Sequence, residues 1–556
     1  MLSKYLYSSQ LLTHLKMLLS GAWEVKSFVK SLERPAQTQA DAIRRILAVN
    51  KNSSFGRQYD FSSMLSERDF RDRVPIHNYE DLRPYIERQI DGGEDERLPK
   101  PLLCIQTSGT TGKPKFIPVY KETLRSYRRC QSISSHAQYW SIKGVFSGSI
   151  LAIVSPSIEG HFENGMPYGS MSGAIAQSLS KAVRSRGVLP EAIFEVADYE
   201  DRYRLIAALA LSDASISALA SANPSTLLRL SDVIWQYWEN LVRFIETNDV
   251  EVLDLGLPPK ESSVLLSGHQ ANRARAAELR ELVRVHGRPT FSQLWPNLKG
   301  VATWTSGNCA LLTPRLKKQL SSDVCITEMG YMASEFWGTI TMNPGLNEGC
   351  LTIQDNFFEF IEPHLWDDGD RRTLLVSELE EGKHYYVIAT TQDGLYRYFI
   401  NDIIEVTGFY RKTPTIKFVQ KGKGVTSLTG EKLYEGQVIQ AVQEVCRGHG
   451  IHIDNFVMLG DRQEMSYFLY VECGDDIDLP QFSKSFEIQL AELNIEFETK
   501  LKSGRLKSVI VRRVTKGTFE SQKLMAISSG QREGQFKTIK LQYRDEVCFP
   551  YHEYEC

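Results

Sequence analysis

Thr107-Ser108-Gly109-Thr110-Thr111-Gly112-Lys113-Pro114-Lys115 is the stretch from which the fold reads. Pro101-Leu102-Leu103-Cys104-Ile105 before it is an apolar run that predicts a buried strand. Phe116-Ile117-Pro118-Val119 follows, and then Lys121 to Ser135, a stretch without Pro or Gly that predicts a helix. Small and hydroxylated residues with two glycines between a strand and a helix make poor core. They make a tight loop whose backbone N–H groups, hydroxyls and two lysines can hold an anion such as a nucleotide triphosphate. An ordinary Ser/Gly surface loop is the plainer alternative, and the specific order of residues weighs against it.

The loop is not a Walker A motif, which needs Gly-x-x-x-x-Gly-Lys-Ser/Thr. Here two residues separate the glycines, and Pro114 after Lys113 prevents a helix from starting as it does in P-loop enzymes.

At 556 residues the chain exceeds what one core supports, so two or more domains are expected. Hydrophobic content of 42% and charged content of 24% are those of a water-soluble globular protein. A net charge of -3 argues against a dedicated nucleic-acid binder. Arg125, Arg128 and Arg129 have helical spacing and read as a solvated helix face. Nine cysteines without a Cys-x-x-Cys pair or zinc spacing point to reduced thiols in a cytoplasmic protein. Met1 to Lys30 reads as an amphipathic helix and lacks the apolar core of a signal peptide. Ile150 to Val154 is far too short to span a bilayer, so no membrane insertion is expected.

Along the chain, Gln37 to Val49 carries an apolar stripe at helical spacing. Ser149 to Ser155 predicts a strand that runs into a glycine-bearing loop, and residues 196 to 248 read as helical. Val301 to Thr303 predicts a strand ending in Thr305-Ser306-Gly307, and Val324-Cys325-Ile326 one ending ahead of Tyr331-Met332-Ala333-Ser334-Glu335. Phe357 to Ile361 and His384 to Thr390 are aromatic and β-branched strands. The alternation predicts an α/β protein whose large N-terminal mixed α/β domain, residues 1–422, ends at the Lys421-Gly422-Lys423-Gly424 joint. Beyond it, 423–556 reads as a small α+β domain of about 130 residues. Its expected elements are a helix over 431–446, strands at 451–459 and 465–473, a second helix from Phe482, and a last strand from Leu506 to Val514.

Three polar residues stand where nucleotide chemistry wants them. Glu335 follows a strand and a small-residue turn, where a carboxylate could hold Mg²⁺ against a triphosphate. Asp402 interrupts an apolar run. A buried carboxylate is costly unless paired or bound, so it reads either as a ribose ligand or as a salt-bridge partner of Arg397 or another cation. Lys537, in Gly534-Gln535-Phe536-Lys537, lies on a loop of the second domain, from which a lysine can reach a developing charge. No Gly-x-Ser-x-Gly nucleophile elbow is present.

Taken in order, these pieces resemble the GH3 family of acyl acid–amido synthetases, within the adenylate-forming superfamily. Phe70 to Ile76 with Tyr79-Glu80-Asp81 resembles its N-terminal signature, and Thr107 to Lys115 its phosphate loop. Tyr331 to Glu335 resembles its Tyr-x-x-Ser-Glu motif, and Leu395 through Asp402 its Tyr-Arg-x-x-x-Gly-Asp pattern. Gly430-Glu431-Lys432-Leu433 and Gly534 to Lys537 resemble its C-terminal pieces. The resemblance implies an ATP- and Mg²⁺-dependent ligase. It would activate a carboxylic acid as an acyl-adenylate, release pyrophosphate and pass the acyl group to the amine of an amino acid. An acyl-CoA ligase with the same first half-reaction and a non-catalytic nucleotide-binding protein are the alternatives. It further implies that Thr107, Ser108, Gly109, Thr110 and Thr111 hold the phosphates, and that Tyr331, Ser334 and the Ser306-Gly307 loop surround the nucleotide. Glu335 would bind Mg²⁺, Asp402 the ribose, and Lys432 and Lys537 would serve as catalytic lysines. Asn401 stands where the family has Gly; asparagine tolerates positive φ better than most residues, so the turn is expected to survive.

Overall fold

Leu103–Thr107 forms the strand expected ahead of the loop (β1), and Lys115–Val119 pairs antiparallel with it as β2, with Thr107 opposite Lys115. The structure, a computed structural model, describes residues 22–92, 100–107, 115–179, 181–422, 424–426, 428, 431, 433–474, 477–502, 504, 506–531, 533 and 536–556. The chain forms two compact units. One holds residues up to Ile400 together with Glu405–Lys417, the other Asn401–Ile404 together with Phe418–Cys556.

In the first unit, β2 leads into the helix Lys121–Ser141, which runs past the expected end at Ser135. β3 (Ile150–Ala152) opens a second sheet, while β4 (Gly160–His161) and β5 (Pro167–Gly169) complete the first in the order β2-β1-β5-β4. β6 (Ala218–Ala220), β7 (Gly300–Thr303) and β8 (Cys325–Glu328) then join β3 in a sheet whose neighbours are all parallel. Parallel neighbours require crossovers, and helices such as Tyr199–Ser212 and Pro224–Gln236 supply them. Leu151, Leu219 and Val301 from these strands share one buried core with Leu205, Leu230 and Leu241 from the helices.

β6 corrects the reading of 196 to 248 as helical throughout. Alanine favours helices locally, but Ala218 and Leu219 are buried in a strand flanked by parallel neighbours on both sides, and that packing overrides propensity. A third sheet adds β9 (Thr339–Ile340), β10 (Gly349–Leu351), β11 (Phe357–Ile361), β12 (Leu374–Leu375), β13 (His384–Thr390), β14 (Tyr398–Tyr410) and β15 (Thr413–Lys421). Its order is β12-β11-β13-β14-β15-β10-β9.

The second unit has a four-stranded sheet, Ile510–Val514, Ser466–Glu472, Asn455–Asp461 and Leu541–Tyr543 in spatial order. Helices Glu435–His449, Leu479–Leu493 and Thr518–Ser528 accompany it. The first helix starts at Glu435, not 431, behind a short strand at Leu433–Tyr434. The last strand is Leu541–Tyr543, parallel to Asn455–Asp461. Thr518–Ser528 escaped the sequence reading because its apolar residues make no stripe, with Phe519 buried while Leu524 and Met525 are exposed. Among the described residues no helix is long and apolar enough to cross a membrane.

Candidate active site

Parallel strands bring their C-terminal ends to one edge, where α/β folds gather ligand loops. β7 and β8 end side by side, with Thr303 opposite Glu328, so the Thr305-Ser306-Gly307 and Tyr331–Glu335 segments emerge together. Glu328, at the last position of β8, ties them. Its Oε2 accepts from the Thr305 N–H and hydroxyl, both at 2.7 Å, and its Oε1 from the Gly330 N–H at 3.0 Å. The Ser306 hydroxyl lies 3.1 Å from Oε2 and 2.5 Å from Asn347 Oδ1. Glu328 is 5% exposed, and burial pushes its pKa above the ordinary carboxylate value while these donors pull it back.

Gly330 has φ +92°, and a Cβ there would stand 2.8 Å from Thr339 Oγ1 and 2.9 Å from the Thr339 carbonyl. The same Thr339 hydroxyl accepts from the Tyr331 N–H, and the Tyr331 carbonyl accepts from Gly338 and Thr339. Tyr331 is thus buried and fixed at both ends of its peptide, and Ser334 and Glu335 are half-buried beyond it.

Glu335 is joined to the phosphate-loop stretch through one hydroxyl. Tyr398 Oη donates to Glu335 Oε1 at 3.1 Å and accepts from Lys115 Nζ at 3.2 Å. The Lys115 ammonium also stands over the Tyr79 and Tyr398 rings, 5.5 and 5.8 Å from their centroids. The Tyr79 hydroxyl fixes the start of β2 by accepting from the Phe116 N–H and donating to its carbonyl. Thr107 and Lys115 therefore hold the two feet of the loop, while Ser108, Gly109, Thr110 and Thr111 lie outside the described residues.

Glu335 also faces a cleft of about 640 Å³, whose lining includes Thr123, Tyr127, Arg129, Asp355 and Asp393. Arg129 is ion-paired with Asp355, which corrects its reading as part of a solvated helix face. Arg397 is likewise engaged. Its guanidinium binds both oxygens of buried Glu359, at 2.8 and 2.9 Å, and the carbonyls of Arg71 and Val74 at 2.7 Å. The Tyr-Arg pair of the motif is therefore a structural bolt to the N-terminal signature.

In the second unit, Asp402 is 2% exposed. Asn401 before it has φ +60°, the conformation for which glycine is the usual residue, and its carbonyl accepts from Gly422. The Lys537 side chain is exposed, with its ammonium 5.8 Å from the Phe418 ring centroid. Lys432 lies outside the described residues. Among the described residues no three His, Cys, Asp or Glu side chains cluster as a metal cage. A single carboxylate such as Glu335 suits an ion that takes its remaining ligands from phosphates and water.

The sequence reading missed Glu328 and Tyr398. A glutamate closing the Cys325-Ile326-Thr327 strand was the available signal for the first. The second lay hidden in a run of aromatic residues that reads as core.

Models of the GH3 family N-terminal, central and C-terminal domains match residues 24–326, 349–421 and 436–545. The chain is 26% identical to indole-3-acetic acid-amido synthetase GH3.4 of Arabidopsis thaliana, over 92% of this chain and 91% of the relative. Its fold is similar to that of GH3.15 acyl acid amido synthetase, with TM-score 0.84 at 22% identity over 96% of each chain. It is also similar, with TM-score 0.51 at 12% identity over 94% of this chain and 89% of the other, to 2-hydroxyisobutyryl-CoA ligase in its postadenylation state. With three successive domain models laid along most of its length, the chain belongs to the GH3 family.

Proposed function

We propose that this protein is an ATP-dependent acyl acid–amido synthetase, joining a carboxylic acid to the amine of an amino acid through an acyl-adenylate. The observation that carries the reading is the Lys115–Tyr398–Glu335 chain. It couples the foot of an anion-binding loop to a carboxylate suited to Mg²⁺. The names of the relatives support the acceptor class, since indole-3-acetic acid-amido synthetase GH3.4 is named for the same kind of bond.

On this reading the loop residues Thr107 to Thr111 take the phosphates, and Ser306, Gly307, Tyr331 and Ser334 surround the base. Asp402 accepts from the ribose hydroxyls, and Lys537 and Lys432 are the lysines of the adenylation step. The acid's carboxylate oxygen attacks the α-phosphorus and pyrophosphate leaves. The amine nitrogen then attacks the acyl carbon, loses one proton, and AMP leaves. Lys115 stabilises negative charge building on phosphate oxygens, and Tyr398 fixes Glu335, the carboxylate that would hold Mg²⁺, by its hydrogen bond to Oε1. Mg²⁺ held by Glu335 would supply charge neutralisation on the phosphates. The cleft at Glu335 offers the acceptor a route in. Nine free cysteines support a reducing, cytoplasmic setting.

A carboxylic-acid panel scored by pyrophosphate release, followed by mass spectrometry with mixed amino acids and coenzyme A both present, tests the proposal. Amide products support it. A thioester as sole product replaces the amine with a thiol. Nucleotide binding with no turnover on any acid leaves a binding protein.

A further inference from the structure

We infer that Glu328 is a positioning residue for the nucleotide's base, an acceptor shared by the Thr305–Ser306 loop and the Gly330–Tyr331 turn that sets the two in register. The inference rests on the reading just proposed, in which those two segments flank adenine.

Two backbone N–H groups and the Thr305 hydroxyl donate to the Glu328 carboxylate, with the Ser306 hydroxyl beside them. Among the described residues none of its partners is a lysine, arginine or histidine. A nine-tenths-buried anion held only by neutral donors is costly to keep, and every donor here belongs to a loop proposed to meet the ligand. A pair of oxygens is what such a ring of donors requires. An amide in the same place would keep the Thr305 and Ser306 bonds by placing its carbonyl at the Oε2 position. Its NH₂ would then face the Gly330 N–H, donor against donor.

The turn on the Gly330 side has no slack to absorb that clash. A Cβ at Gly330 would already meet Thr339, the Gly330 carbonyl accepts from Trp304 Nε1 at 3.1 Å, and Tyr331 is held by Thr339. The Ser306 side is adjustable, because Asn347 can take over its hydroxyl. Glu328→Gln should therefore shift the Tyr331 turn selectively, and Glu328→Ala should release both segments.

The test compares two probes on purified wild-type, Glu328→Gln and Glu328→Ala full-length protein. ATP reads base plus phosphates, and inorganic tripolyphosphate reads the phosphate subsite alone. We expect Glu328→Gln to weaken ATP by about ten-fold and Glu328→Ala by about a hundred-fold, with tripolyphosphate affinity within about two-fold of wild type. In pyrophosphate exchange the apparent KM for ATP should rise more than the KM for the acid. Equal weakening of both probes, or equal loss in the two variants with a matching fall in melting temperature, assigns Glu328 a merely structural role and overturns the inference. So does unchanged ATP affinity in Glu328→Gln. Wild-type protein that binds no ATP overturns the proposed function first, and this inference with it.

Discussion

The Tyr398 hydroxyl accepts a hydrogen bond from Lys115 and donates one to Glu335, so Tyr398→Phe cuts both links and keeps the ring. Hydrogen bonds to charged groups contribute about 1.5–3 kcal/mol each. Pyrophosphate exchange should fall by about ten-fold or more, with little change in melting temperature; an unaltered exchange rate would reduce the chain to packing. If Asp402 holds the ribose as proposed, Asp402→Ala removes charge-assisted bonds of the same size. It should raise the apparent KM for ATP by about ten- to a hundred-fold in a folded protein. Unchanged ATP affinity would take the ribose role from Asp402. Glu335 and Asp402 were legible in the sequence because a charge stands out in an apolar or small-residue setting. Glu328 offered the same signal one motif earlier, but its worth depends on which N–H groups converge on it, and that is a property of two strand ends brought side by side. Tyr398 looked like its neighbours Tyr396 and Phe399, and only its hydroxyl's partners set it apart.

His77 shows what the elements add. Its N–H donates to the Arg397 carbonyl, its carbonyl accepts from Phe399, and its Nδ1 lies 3.0 Å from the Tyr396 carbonyl. The N-terminal signature and the Tyr-Arg segment are thereby stitched together through backbone, beside the Arg397–Glu359 pair. Burial depresses the His77 pKa below its usual 6.5, against a weaker upward pull from the Tyr396 carbonyl and Asp81 and with a further downward push from Arg397. The unfolded chain therefore takes up the proton first on acidification. The stability this histidine contributes is full above about pH 6.5 and is lost as pH falls from there through the folded value. Denaturation midpoints measured against pH should show that loss, and His77→Gln should flatten it; an identical slope in the variant would assign the acid sensitivity elsewhere. Sequence composition revealed β7, β8, β11 and β13, whose residues are mostly apolar, aromatic or β-branched. It failed at β6, where alanine's local preference is helical and only sheet neighbours decide, and at Thr518–Ser528, which has no apolar stripe to read.

At the scale of the whole molecule, the order of motifs told more than any one of them. Loop, carboxylate, Tyr-Arg segment and C-terminal lysine follow one another in the order the resemblance implies, and the family models cover the loop, the Tyr-Arg segment and the lysine in that order. Cavity shape was not legible, because the cleft at Glu335 is lined from segments hundreds of residues apart, such as Thr123 and Asp393. Lys537 belongs to the second unit, and the role proposed for it is testable by half-reaction. Lys537→Ala should slow acyl-adenylate formation by at least about a hundred-fold, as losing one electrostatic stabiliser does. It should spare aminolysis of a synthetic acyl-adenylate. Equal damage to both halves would move attention to Lys432 or Lys115.

The route through an acyl-adenylate is tested most directly by isotope transfer. A turned-over acid labelled with ¹⁸O in its carboxylate places one labelled oxygen between carbon and α-phosphorus when the adenylate forms. Attack of the amine on carbon leaves that oxygen on phosphorus. Mass spectrometry of the products should find one ¹⁸O in AMP and none in pyrophosphate. Label in orthophosphate, with ADP as the nucleotide product, would show activation through an acyl phosphate and contradict the account.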